Sequence, residues 1–117
     1  MSRKKSREIA FQLVYGLGFD PFVFDETIPV TEQQFIDKLV AAVRDNQTTI
    51  DETIAGLSSV AFAKIYPVDL AALRIGIAEI KYVGTPKPVV IEQCADLAKK
   101  YSLAESPGFV SGVLGAL

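Results

Sequence analysis

Apolar residues recur along this chain at spacings of three and four positions, and no stretch shows the strict alternation of a half-buried strand. The first such pattern predicts a helix from residue 2 or 3 to Leu17, closed by Gly16 and Gly18. The stretch from Phe19 to Val30 holds three phenylalanines and two prolines, which predicts a packed loop or a short hidden turn of helix. The inward face of the first helix is predicted to be Ile9, Ala10, Leu13, Val14 and Leu17.

Two further helices are predicted in the next part of the chain. Thr31 is predicted to open the second helix, with Gln34 completing a capping box and residues 45–46 ending the helix. The third helix is predicted from about Thr48 to Leu57. The inward faces of the two helices are predicted to be Phe35, Ile36, Leu39, Val40 and Val43, followed by Ile50, Ile54 and Leu57.

The segment from Val68 to Tyr82 is apolar on nearly every side. A helix that is apolar all round belongs in the middle of a bundle, and the many alanines favour a helix over a buried strand. Gly84 and Pro86 are predicted to end it. The charged residues of this segment are Asp69, Arg74, Glu79 and Lys81.

Two more helices complete the pattern, which predicts an all-α chain of six or seven helices in a single domain over residues 1–117. Pro88 is predicted to start the fifth helix, and Ser106 is predicted to cap the last one with Pro107 at its first position. Gly112 and Gly115 interrupt the last helix, each costing about 1 kcal/mol relative to alanine. The inward faces are predicted to be Ile91, Cys94, Ala95, Ala98 and Tyr101, followed by Val110, Val113, Leu114 and Leu117.

Composition argues against catalysis. The chain has no histidine, which removes Ser-His-Asp and Cys-His catalysis and the common zinc sites. No acidic cluster has calcium-loop spacing, and no glycine-rich phosphate loop follows a strand pattern. We therefore expect no enzyme, no catalytic residue, no metal and no cofactor.

The remaining composition concerns the compartment. A single cysteine, Cys94, excludes an internal disulfide and fits a reducing cytoplasm. No apolar run reaches the roughly 18 residues of a membrane span. The basic start is followed by Glu8 and polar spacing rather than by the apolar run of a signal peptide. The sequence therefore predicts a cytoplasmic protein with no membrane partner.

Positive charge is concentrated at the start of the chain. Arg3, Lys4, Lys5 and Arg7 lie in the first seven residues, whereas the remaining 110 residues hold 8 basic and 14 acidic residues, a net charge of −6. A basic segment on an acidic body indicates a polyanion site at one end, although such runs are also commonly just solvated. This feature makes nucleic acid a candidate ligand.

Five ordered motifs resemble the NusB family of bacterial transcription antitermination factors. They are "SREIAFQLVY", "IDETI", "VDLAALRIGIAEI", "VVIEQCADLAKKY" and "FVSGVLGAL", and together they span nearly the whole chain. The resemblance implies two three-helix bundles packed at a steep angle in one domain. It also implies a non-catalytic protein that binds boxA RNA of ribosomal RNA leaders together with NusE, a small-subunit ribosomal protein. The resemblance further implies the transcription elongation complex as the larger assembly in which such a protein acts.

The resemblance also assigns residues to the two partners. The family's N-terminal basic motif falls on Arg3, Lys4 and Arg7, and we add the neighbouring Lys5. The other residues that the resemblance places at RNA are Lys87, Glu105 and Phe109, and those that it places at NusE are Tyr15 and Asp69.

One geometric hypothesis joins the two ends of the chain. Ser111, Gly112, Gly115 and Ala116 cover the side of the last helix opposite its inward face, and a smooth side permits close approach of another backbone. If that backbone is the first helix, the basic segment lies beside Phe109 and both ends form one RNA site. Cations would then hold phosphates while the ring stacks on an unpaired base.

Two other functions remain open at this stage. A similar RNA-binding domain occurs ahead of the catalytic region of ribosomal RNA cytosine methyltransferases, so the chain could serve a different ribosomal RNA maturation protein. Alternatively, the chain could be a protein–protein adaptor, or a homodimer that hides its RNA face.

Overall fold

The computed structural model describes residues 1–16 and 27–117, and it is helical throughout, with no strand in this part of the chain. The all-α prediction is therefore confirmed. The predicted helix end at Leu17, Gly18 and most of the stretch predicted as a loop or short helical turn from Phe19 to Val30 lie outside the described residues. The α-helices are α1 (Arg3–Tyr15), α2 (Val30–Asp45), α3 (Gln47–Leu57), α4 (Pro67–Ala78), α5 (Lys87–Tyr101) and α6 (Ser106–Gly115).

Helix α4 lies at the centre, as its apolar sequence predicts. It packs against all five of the other α-helices given above. Leu73, Ile75 and Ile77 are fully buried, and even the backbone of Gly76 is covered by the Leu114 side chain of α6 and by Cys94 of α5. A Cβ at position 76 would lie 2.8 Å from Leu114 Cδ1, so glycine permits this close packing.

A π-helical turn (Glu79–Val83) continues α4 and carries the charged residues Glu79 and Lys81. Gly84 ends the turn in the left-handed region, with φ +88°, and its N–H donates to the Glu79 carbonyl at 2.9 Å. The wider turn differs from the uninterrupted helix predicted to Tyr82. The Glu79 side chain is completely buried there.

The predicted capping of α1 is confirmed at its end, but that of α2 is wrong. Gly16 closes α1 with φ +79°, and Ser2 Oγ accepts a hydrogen bond from the Lys5 N–H at 3.1 Å at the start. Helix α2 instead begins at Val30 after Pro29, so Thr31 lies inside the helix and makes no capping bond. Proline at the preceding position already supplies the extended backbone that a capping box would set, with φ −59° and ψ 150°.

The predicted N-cap of the last helix is also displaced. Glu105 occupies that position, and Ser106 is the first helical residue. The buried Ser106 Oγ contacts Asp69 Oδ2 of α4 at 3.0 Å and accepts from the Leu103 N–H at 3.2 Å. The Ser106 hydroxyl, which the local sequence predicts to cap α6, therefore makes a tertiary hydrogen bond to Asp69 instead.

Most predicted core faces agree with the structure, with a rotation in α5. All five predicted residues of α2 are buried, and Cys94 and Ala98 of α5 are fully buried. Val90 and Leu97 replace Ala95 and Tyr101 at the centre of the α5 face. Burial raises the pKa of the Cys94 thiol to about 12, so Cys94 is a small buried apolar residue at neutral pH.

The small side of α6 does not receive the first helix, so that hypothesis is wrong. Val110, Val113 and Leu114 turn toward α4 and α5, which leaves the glycine side facing away from the packed helices. Within residues 1–16 and 27–117, a Cβ added at Gly112 or Gly115 would meet no atom of another element within 4 Å.

Candidate nucleic-acid interface

The basic residues at the start of the chain belong to a helix and not to an extended arm. Because the hydroxyl of Ser2 caps α1, Arg3, Lys4 and Lys5 occupy its first turn. Successive residues of a helix point in directions about 100° apart, so these cations reach different parts of the surface. Arg3 faces α2, whereas Lys4 faces α5.

Arg3 is held in a specific position by two residues of α2. Its Nε and Nη2 donate to the two carboxylate oxygens of Glu32, each at 2.9 Å. The guanidinium carbon also lies 4.0 Å from the centre of the Phe35 ring. Ser6 Oγ donates to the same carboxylate at 2.8 Å. The hydrogen bonds from Arg3 and Ser6 hold the pKa of Glu32 below its ordinary value.

Arg7 is a core residue and does not face solvent. Its Nε and Nη2 donate to the Glu79 carboxylate at 2.5 and 2.6 Å, and the two side chains are only 4% and 0% exposed. Charged side chains are rarely buried unless they are paired in this way. The pair joins α1 to the π-turn after α4, and the two short hydrogen bonds to Glu79 occupy the Nε–Nη2 edge of the guanidinium.

Lys4 lines an open groove between α1 and α5 with a volume of about 510 Å³. Lys99 and Lys100 line the same groove from α5. Lys4 Nζ lies 3.7 Å from Asp96, and the two side chains are 66% and 43% exposed, so solvent screens this loosely held pair. The other residues that line the groove are Arg7, Glu8, Gln93, Asp96 and Leu97.

A hydrogen-bond network fixes the two walls of this groove to each other. Lys100 Nζ donates to Glu8 Oε1 at 2.9 Å, and the Tyr101 hydroxyl donates to the same oxygen. Gln12 Nε2 donates to the Tyr101 hydroxyl at 3.1 Å, and the Tyr101 ring stacks on Phe11. Burial raises the pKa of Glu8, but the hydrogen bonds from Tyr101 and Lys100 outweigh burial and hold it below its ordinary value.

Replacing Glu8 by glutamine is expected to reduce the loss of stability on acidification. Because folding lowers the pKa of Glu8, the ionised carboxylate stabilises the fold above its ordinary pKa of 4.5, and this contribution disappears as the pH falls through the lowered value. Urea unfolding between pH 3 and 7 measures the effect. Glu52→Gln, at an exposed position of α3, is the control. Equal acid dependence of Glu8→Gln and wild type would contradict the expectation.

Phe109 lies on a different cavity from the basic groove. It lines a shallow depression of about 280 Å³ with Leu57 and Ser59 at the end of α3, and the flanking Gly108 and Gly112 contribute no side chain. The ring is partly buried against the core, so one part of it remains open. The residues lining this depression and those lining the groove at Lys4 do not overlap.

Two other residues predicted to bind RNA, Glu105 and Lys87, lie near opposite ends of α6. Glu105 is exposed at the N-cap, and its carbonyl accepts from the Phe109 N–H at 3.2 Å. Lys87 begins α5, and its Nζ donates to the carbonyls of Gly115 and Leu117 at 2.9 and 2.8 Å. A cation near a helix C-terminus stabilises the helix, and Lys87 makes this stabilising contact at the end of α6.

The two residues predicted at the protein partner occupy different environments. Tyr15 is partly buried and lines a mainly apolar groove of about 350 Å³ with Phe62, Pro67 and Leu70. Asp69 is 6% exposed and accepts from Ser102 Oγ at 2.5 Å. The Asp69 carboxylate therefore ties the α5–α6 connection to the start of α4.

Sequence reasoning missed Glu32, Phe35 and Glu79 as partners of the basic residues. One signal was available for Glu79, because a carboxylate in a helix that is apolar all round requires a buried cation. Arg7 also lies three positions before Ala10 and seven before Val14, so it shares their helical face. No local signal indicates which acidic residue pairs with Arg3.

The described residues contain no group of three or more acidic, cysteine or histidine side chains that could hold a metal ion. Among the helices in residues 1–16 and 27–117, none is both long enough and apolar enough to cross a membrane.

Fold and surface together define a class of small helical proteins with a cation-lined groove on an otherwise acidic body. The sequence matches the NusB family over residues 4–117. It is 32% identical to the transcription antitermination protein NusB of Clostridium novyi, covering 98% of this chain and 96% of that protein. It is 34% identical to the protein of that name from Staphylococcus carnosus, covering 100% of this chain and 99% of that protein. This chain belongs to the NusB family.

Solved structures agree with this assignment. T. maritima NusB superimposes with a TM-score of 0.86 at 22% identity, covering 98% of this chain and 89% of that one. A protein chain from the crystal structure of a plectonemic RNA supercoil superimposes with a TM-score of 0.81 at 27% identity, covering 97% and 91%. The predicted NusB-like fold is confirmed. Members of the family are non-catalytic transcription antitermination factors, which confirms the prediction that the chain is not an enzyme.

Proposed function

We propose that this chain binds single-stranded boxA-type RNA of ribosomal RNA leaders together with NusE, as part of a transcription elongation complex. Membership of the NusB family supports an antitermination role. The observation that supports RNA most directly is the groove between α1 and α5, where Lys4, Lys99 and Lys100 meet on a chain whose net charge is −2. Cations gathered on one face of an acidic protein favour a polyanion there.

In this proposal the RNA backbone follows the basic groove. Lys4 and Lys99 are exposed, and the Lys100 side chain remains about half exposed while its Nζ donates to Glu8. Ammonium groups bind phosphate as point charges, so they supply affinity without sequence preference. Lys5 extends the positive surface along the first turn of α1, where Arg3 is paired with Glu32.

Base recognition is assigned to the depression at Phe109. The open part of the ring offers a stacking surface, and the two flanking glycines leave the depression unobstructed. Glu105, at the start of the same helix, is the nearby acceptor for a base amino group. An RNA strand that binds both the basic groove and the depression at Phe109 would cross the protein surface between them.

Four of the predicted site residues take roles other than direct contact with RNA phosphates. Arg7 and Asp69 position the elements of the site from inside the protein, and Lys87 fixes the end of α6. Tyr15 contributes to the contact with NusE, whose expected basic surface would be attracted by the acidic body.

Titration of a labelled boxA RNA with and without NusE tests this proposal. We expect saturable binding that becomes tighter when NusE is present and weakens steeply with salt. A scrambled RNA of equal length is the sequence control, and Lys4→Ala combined with Lys99→Ala is expected to make the salt dependence shallower. An affinity that NusE leaves unchanged would instead favour a diverged RNA-binding module or an adaptor.

A further inference from the structure

Arg3, in the first turn of α1, has a well-defined internal partner in Glu32 of α2. Its two hydrogen bonds to Glu32 are parallel and of equal length, 2.9 Å, which is the geometry with which arginine also binds a phosphate. The Arg3 side chain is 50% exposed, whereas Glu32 is 12% exposed. The carboxylate is thus the sheltered member of the pair and the guanidinium is the accessible one.

Several contacts keep Glu32 in this position. Its Oε1 accepts from Ser6 Oγ at 2.8 Å as well as from Arg3, and it lies one helical turn before Phe35, whose ring supports the same guanidinium. Lys4 makes a useful contrast, because its Nζ lies 3.7 Å from Asp96 Oδ2 and neither side chain of this pair is sheltered from solvent. Arg3 therefore has a fixed hydrogen-bond acceptor on α2, whereas Lys4 has only a distant ion-pair partner on α5.

We propose that Glu32 competes with RNA for Arg3 and so lowers the RNA affinity of the basic segment. The inference rests on the proposed RNA-binding function. An RNA phosphate that binds the Nε–Nη2 edge of Arg3 must displace the Glu32 carboxylate, and one that binds the remaining edge approaches a guanidinium whose charge Glu32 already neutralises. In the free protein Arg3 therefore adds little to the attraction for RNA, and α1 stays docked on α2.

Glu32→Gln tests the competition, because glutamine keeps the shape and removes the charge. The probe is the labelled boxA RNA, measured by fluorescence anisotropy over a range of salt concentrations. We expect affinity to rise about two- to fivefold at moderate salt, the range that corresponds to a partly exposed ion pair. The slope of log K against log salt should become steeper by about 0.7, the value for one additional phosphate contact on a single strand.

Two controls separate competition from net charge. Asp37→Asn makes the same change of charge five residues further along α2, at an exposed position whose described partner is Gln33. It is expected to leave the slope unchanged. Arg3→Ala should barely alter the slope in wild type but should abolish the gain in the Glu32→Gln background.

The outcomes distinguish the inference from the function on which it rests. If wild type binds boxA RNA and Glu32→Gln has the same slope and affinity, the competition is refuted while the proposed function stands. Weaker binding by Glu32→Gln would refute it too, since Glu32 would then position Arg3 for RNA. An equal gain in RNA affinity for Asp37→Asn would show that the effect comes from net charge alone, which would also refute the competition. If neither wild type nor Glu32→Gln binds, the proposed function and the competition fall together.

Discussion

Replacing Arg7 by alanine is expected to lower the free energy of unfolding by about 3–5 kcal/mol. Glu79 is completely buried, and Arg7 supplies two short hydrogen bonds to its carboxylate. Removing the guanidinium leaves an uncompensated buried acid between α1 and the π-turn, in addition to the lost packing against Phe35. Urea unfolding followed by circular dichroism at pH 7 measures the change.

Arg74→Ala provides the matched control for this loss. Arg74 makes the same bidentate contact with Asp51, with both bonds at 2.8 Å, but the two side chains are 20% and 21% exposed. Solvent screens this second pair, so its loss is expected to cost about 1 kcal/mol or less. Equal losses for the two variants would contradict the argument from burial.

A double variant separates the structural role of Arg7 from a role at RNA. Arg7→Met with Glu79→Met removes both charges together and is expected to recover most of the stability, because apolar replacement of a buried pair is often neutral. Its RNA affinity should then keep the wild-type dependence on salt. A shallower slope in a stably folded double variant would show that Arg7 contacts phosphate after all.

The helices were predictable because their signal is local. Apolar spacing placed α2 and α3 within one residue of their observed bounds and placed the start of α4 within one residue, whereas the predicted end at Tyr82 falls in the π-turn. The uniform apolarity of α4 predicted its central position. These patterns depend on neighbours three and four positions apart, which one sequence contains in full. The family motifs then supplied the arrangement of the helices, and the structural comparison confirms that fold.

The charged contacts were not predictable in the same way, since their partners are distant in sequence. Arg7 and Glu79 are 72 positions apart, and Arg3 and Glu32 are 29 apart. A cluster of basic residues near the start of a chain has the same sequence pattern whether it is free or paired. Tertiary contacts also overrode local capping at Ser106, whose hydroxyl contacts Asp69 37 positions away.

The orientation of α6 shows how a local pattern can suggest the wrong partner. Glycines on one side of a helix permit close packing, but they do not require it. The true close approach occurs at Gly76 of α4, which receives Leu114 of α6, whereas Gly112 faces open space. Phe109 therefore flanks a depression against α3 and is separate from the groove at Lys4.

Phe109→Leu is expected to weaken binding of boxA RNA by about 5- to 150-fold, which corresponds to the 1–3 kcal/mol of stacking on one base. Leucine retains apolar contact with Leu57 and Val113 but has no ring face to offer. The partly buried position predicts a loss of stability below about 1.5 kcal/mol for this change between apolar side chains. Anisotropy titration and urea unfolding on the same sample measure the two effects.

The control for Phe109 is another partly buried phenylalanine on a different surface. Phe62 lines the groove near Tyr15, so Phe62→Leu should leave the affinity for RNA alone unchanged. If Phe109→Leu binds RNA like wild type and is destabilised, the ring is a packing residue, and base stacking must be sought elsewhere. If it loses affinity while the salt slope stays constant, the contact is with a base and not with a phosphate, because only cation–phosphate contacts change that slope. The salt slope thus distinguishes the two regions of the proposed interface, with charge acting at the groove and stacking at the depression.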